Sequence, residues 1–200
     1  MKQTYTLIIL LLIFSQACVF RTVNKQYDDF ENQVKFKLKQ TYLAKNEFKG
    51  RQHVTIQYYK TISSSSKKSI TAKLYFSSLP EHGKLNNRLK IKTETNFHNI
   101  TFYDIETREI IESEVKTEHV ITENTDSDDK DNNTTETYTS TITNSTEIAN
   151  LVYFDISNDL AKEILNSEEL SFRFYLGNEA ITINFSKKKL KKLKKLLQAS

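Results

Sequence analysis

Metal or acid–base chemistry would start from histidine, cysteine and clustered carboxylates, and their spacing in this chain works against it. His53, His82, His98 and His119 are scattered. None belongs to a His-Glu-x-x-His pattern, and the chain's one cysteine, Cys18, has no Cys or His partner at ligand spacing. A metal set would need long-range convergence. No Gly-x-Ser-x-Gly elbow offers a nucleophile. The carboxylates from Glu106 to Glu118 fit one solvated strand face better than a paired acid and base. Asp126 to Asn133, DSDDKDNN, has the composition of a calcium loop without its glycine and closing glutamate at the required spacing. Only three Gly and one Pro are present, which excludes Gly-rich phosphate loops and Pro-rich linkers. These residues predict no catalytic site, no metal and no cofactor. An enzyme would have to assemble its site from dispersed groups such as His53, His98 and His119.

Two segments carry a stronger pattern. The first is the start, MKQTYTLIILLLIFSQAC. Lys2 is a short positive region, Leu7 to Phe14 is unbroken apolar, and small residues precede Cys18. That order predicts a secretory signal peptide over 1–17. The apolar run is too short for a membrane span of about 20 residues. Ala17-Cys18 resembles the end of a bacterial lipoprotein signal, of the relaxed, spirochete type in view of Ser15 and Gln16. The resemblance implies acyl chains on Cys18 and a membrane partner reached through them, at the outer membrane or cell surface. An unlipidated, secreted or periplasmic binding protein is the alternative.

The second segment is KKKLKKLKKLLQ, Lys187 to Gln198. Its leucines form a narrow helical stripe surrounded by lysine. Lys187, Lys188, Lys191, Lys192, Lys194 and Lys195 are the candidate contacts for anionic lipid or another polyanion. A terminal helix that docks its leucines and snorkels its lysines explains the pattern more simply. Export argues against nucleic acid. The charge is divided along the chain: Asp104 to Glu136 has twelve acids against three bases, and Lys187 to Lys195 has seven lysines and no acid.

Positioning these segments falls mainly to strands. Val34, Phe36 and Leu38 alternate with Lys35, Lys37 and Lys39, the period of a half-buried strand. Further strands are expected near 54–59, 70–79, 89–95, 100–104, 110–122, 137–143, 148–156, 170–176 and 180–185. Asn124 to Glu136 has no apolar residue and reads as a mobile acidic loop joining a hairpin. Ser157 and Ser186 are placed to cap helices whose apolar stripes are Leu160, Ile164, Leu165 and Leu190, Leu193, Leu196, Leu197. Gly177-Asn178 suits a two-residue hairpin turn.

The expected class is α+β: an antiparallel sheet or β-sandwich of about eight strands with two helices in the C-terminal half. The expected organisation is a signal peptide (1–17), a lipidated tether (18–31) and one β-rich domain (32–200). An apolar fraction of 38% is modest, and twelve Phe and ten Tyr supply much of the core. The mature chain also resembles uncharacterised bacterial lipoprotein domains. These share the entry segment Tyr27-Asp28-Asp29-Phe30, the hairpin SFRFYLGNEAITINF and the closing Lys/Leu helix. The resemblance implies no activity. The function that follows is non-catalytic, binding or structural, at the cell envelope, with a possible protein or host-surface partner.

Overall fold

Alternation of apolar and polar residues builds one antiparallel sheet, not a sandwich. The computed structural model describes residues 23–46, 50–123 and 134–200. Ten strands run in chain order: β1 (Asn24–Asp28), β2 (Gln33–Asn46), β3 (Gly50–Ser63), β4 (Lys68–Ser78), β5 (Arg88–Thr93), β6 (Phe97–Thr101), β7 (Tyr103–Glu123), β8 (Thr134–Asp155), β9 (Leu170–Leu176) and β10 (Glu179–Asn184). The helices are α1 (Asn158–Asn166) and α2 (Lys187–Gln198), and a single 3-10 turn spans Pro80–His82. The sheet order is β6-β5-β9-β10-β2-β3-β4-β8-β7, with β1 added on β2. It curls into a half-barrel.

In β2, Phe36, Leu38, Gln40, Tyr42 and Ala44 point inward, while Lys37, Lys39, Thr41, Leu43 and Lys45 point out. The same alternation in β3, β4, β5 and β9 gives the sheet one buried face. The helices cover that face. Leu190, Leu193, Leu196 and Leu197 of α2 and Leu160, Ala161 and Ile164 of α1 are buried in the core. Phenylalanine fills the space between: Phe76 and Phe174 lie 4.9 Å apart, and Phe172 lies 4.8 Å from Phe185. Ser157 accepts from the Leu160 amide and Ser186 from the Lys189 amide, so both expected caps form. Gly177 makes the β9–β10 turn at φ +53, where a Cβ would meet the His82 carbonyl oxygen at 2.9 Å. No helix among the described residues is long and apolar enough to cross a membrane.

Three expectations change. Among the described residues the strand count is ten rather than about eight: the segments expected at 137–143 and 148–156 run on as one strand, β8, and the stretch expected to be tether already contains β1. Asn24 to Asp28 pairs with Lys37 to Gln33. Its residues are mostly polar, and the open edge of β2 recruits it through backbone hydrogen bonds instead. The strands flanking the acidic loop are also longer than their apolar segments. β7 and β8 stay paired to Glu123 and Thr134, so the expected loop of 124–136 loses its last three residues to β8, and 124–133 lie outside the described residues. Since β4 leaves β8 at Ile148, most of this hairpin is a two-stranded ribbon projecting from the sheet. Ile111, Val115, Tyr138 and Ile142 are exposed on one ribbon face.

Lys60 shows how the last helix is held. It is 3% exposed, on the inward side of β3. Its ammonium donates to the carbonyls of Leu197 and Ala199, 2.6 Å each, which satisfies acceptors left over at the α2 C-terminus and opposes the dipole there. Burial pushes its pKa down. Lys60→Ala is expected to lower the unfolding free energy by about 2–4 kcal/mol, measured by urea titration.

Candidate functional site

Of the two segments singled out by sequence, the structure describes one. Cys18 and the segment expected as a signal peptide lie outside the described residues. The α2 lysines ring a docked helix: Lys187, Lys188, Lys191 and Lys195 are exposed, and Lys192 and Lys194 are half-buried. Lys189 turns inward instead. Its ammonium donates to the Thr41 carbonyl and lies 4.5 Å from the centre of the Tyr42 ring. The Gln40 amide donates to the Lys189 carbonyl at 3.0 Å. Lysine on this helix therefore serves docking as well as solvation.

The histidines go to separate places. His98 Nε2 lies 2.8 Å from Glu163 Oε2, and that contact, before any other, lowers the Glu163 pKa. His82 is buried, with Nδ1 2.8 Å from Glu179 Oε2. His53 and His82 share an open depression of about 370 Å³ that also takes in Arg51 and Glu147. The side chain of His119 lies outside the described residues. Among the described residues no three metal-ligating side chains come together. His53 on β3 and His98 on β6 are five places apart in the sheet order.

The feature with the most consistent chemistry is the outer face of the sheet. Every outward position of β5, β9, β10, β2 and β3 lacks Asp or Glu. Cross-strand register turns separate lysines and arginines into rows. Lys90 stands opposite Arg173, Arg173 opposite Thr182, Thr182 opposite Lys45, and Lys45 opposite Arg51. The row crosses five strands, about 19 Å at normal strand spacing. Lys90, Arg173, Lys45 and Arg51 are all exposed. Among the described residues none of the four makes an ion pair.

These side chains are held in place. The Arg173 Nε donates to the Thr182 hydroxyl at 2.9 Å. The Lys90 ammonium lies 5.6 Å from the Tyr175 ring centre, and Lys92 stands likewise 5.6 Å from Phe97. Cation–π contact of this kind fixes a flexible lysine over an aromatic face. Together with Ser171 they line a depression of about 380 Å³. A second basic–aromatic row, Lys39-Gln57-Lys73-Tyr153-Tyr103, crosses the other half of the face. There the Lys73 ammonium is 5.4 Å from the Tyr153 ring, whose hydroxyl raises the lysine pKa. Such a surface can hold anions by charge and hydrogen bonding.

Sequence reasoning missed this row because it draws one cation from each of β5, β9, β2 and β3 and none from β10, so no single strand shows it. The signal that could have found it is the absence of acid at every second position of five strands. No family model matches the chain, and no curated protein or solved structure matches it either.

Proposed function

We propose that the chain is an exported domain, anchored at the cell envelope by acyl chains on Cys18, that acts by binding and not by catalysis. The observation that carries this reading is the short interval between anchor and fold. A charged start, an eight-residue apolar run and Ala17-Cys18 are followed by the first strand at Asn24. Six residues reach at most about 20 Å, so the sheet would stay close to the membrane without any spanning helix. Binding is supported by the outer face, whose basic and aromatic side chains meet in rows across strands.

Metabolic labelling with an alkynyl palmitate analogue tests the anchor. The wild-type chain is expected to label and to enter the detergent phase, and Cys18→Ala to do neither. A Cys18→Ala protein that still labels and partitions overturns the anchor at Cys18. An unmodified mature N-terminus by mass spectrometry would support the soluble alternative.

A further inference from the structure

We infer that the row Lys90, Arg173, Lys45 and Arg51 is a binding site for a linear acidic polysaccharide, one bearing sulfate or carboxylate groups along its length. The inference rests on the reading of the chain as an exported binding domain. It begins with a cost. Lys90 and Arg173 are directly opposed on neighbouring strands, and so are Lys45 and Arg51. Like charges in that relation destabilise a sheet, and no described acid neutralises them. A bound anion between each pair would turn the repulsion into attraction. Arg173 is suited to the task because a guanidinium presents a planar fork of donors that matches sulfate or carboxylate.

Shape and ring geometry choose among polyanions. The row follows a curled sheet, so a flat bilayer could touch only part of it. Duplex DNA, with a persistence length of about 50 nm, could not follow it either. Single-stranded nucleic acid is bound chiefly by stacking bases on aromatic faces. Here lysine ammoniums already occupy the faces of Tyr175 and Phe97. A flexible acidic glycan needs only charge and hydrogen-bond donors along a line, and Ser171 and Thr182 add hydroxyls to the cations.

The test uses the chain from residue 18 onward with Cys18→Ser, so that acyl chains do not contribute and the outcome is independent of the anchor. Dextran sulfate is expected to bind and uncharged dextran of equal length not to. Lys90→Gln, Arg173→Gln and Lys45→Gln should each weaken binding on the order of fivefold, and added salt should weaken it further. The melting temperatures of these variants should stay unchanged or rise, because repulsion is relieved. Lys188→Gln/Lys191→Gln/Lys195→Gln on α2 should leave the affinity within twofold. Three results would overturn the site: no binding of dextran sulfate, an equal loss from the α2 triple variant, or insensitivity to the row substitutions. A single-stranded oligonucleotide or vesicles of phosphatidylglycerol that bind more tightly through the same row would replace the glycan.

Discussion

Leu193→Asp is expected to lower the unfolding free energy by about 5 kcal/mol or more, enough to leave much of the protein unfolded at 25 °C. Leu193 is fully buried, midway along α2, in the core that the helix shares with the sheet. Removing a buried leucine costs about 2–5 kcal/mol. A carboxylate in the same place adds the cost of desolvating a charge without a partner. Against a total stability of about 5–15 kcal/mol for a domain, the two together are close to decisive. Leu193→Met, which nearly conserves volume, should cost less than about 1.5 kcal/mol. Lys191→Asp, exposed on the same helix, should stay within about 0.5 kcal/mol. Urea unfolding followed by circular dichroism reads all three, since the chain has no tryptophan. Wild-type stability in Leu193→Asp would mean that α2 is not docked on the sheet.

The second large effect appears in alkali. Tyr42 and Tyr58 are buried on the inward side of β2 and β3. Their hydroxyls lie 3.3 Å apart, and Tyr42 also donates to the Gln40 amide oxygen. Burial pushes both phenol pKa values well above 10, with the Tyr42 phenol raising that of Tyr58 further. In the unfolded chain both ionise near pH 10. Above that pH the folded state holds two protons that the unfolded state has lost. Their stabilisation is therefore complete below pH 10 and declines as pH rises toward the folded values. The decline is about 1.4 kcal/mol per pH unit for each phenol. Lys60 acts in the opposite sense, because burial lowers its pKa, and its effect is finished once the unfolded lysine titrates near 10.4. Unfolding free energies between pH 9 and 12 should fall steeply above about 10.5. Tyr58→Phe should remove about 1.4 kcal/mol per unit from that slope. An unchanged slope would show that Tyr58 is accessible to solvent.

Much of the architecture is local information. Lys and apolar residues alternate along β2, so one side must face water and the strand follows. The leucines of α2 fall on one stripe, and Ser186 supplies the acceptor that starts the helix. Gly177 tolerates the positive φ of the hairpin turn. Each of these depends on side chains within a few residues of one another, which is why they were legible without a structure. β1 was not, because NKQYD carries no apolar period and forms only against the edge of a strand already in place. The reach of β7 and β8 was also hidden, since backbone pairing continues past the last apolar residue.

What the sequence determined by itself was the inventory: strands, two capped helices, an apolar run before Cys18, and no local catalytic or metal motif. What only the tertiary structure decided was adjacency. Lys60 reads as one more strand lysine until α2 brings two carbonyls to its ammonium. No local pattern sets Lys45, Arg51, Lys90 and Arg173 apart in the sequence. Strand order places β5, β9, β10, β2 and β3 side by side, and register then aligns those four charges in one row. Register between segments distant in the chain is set by the summed burial of the whole sheet, and no single strand encodes it.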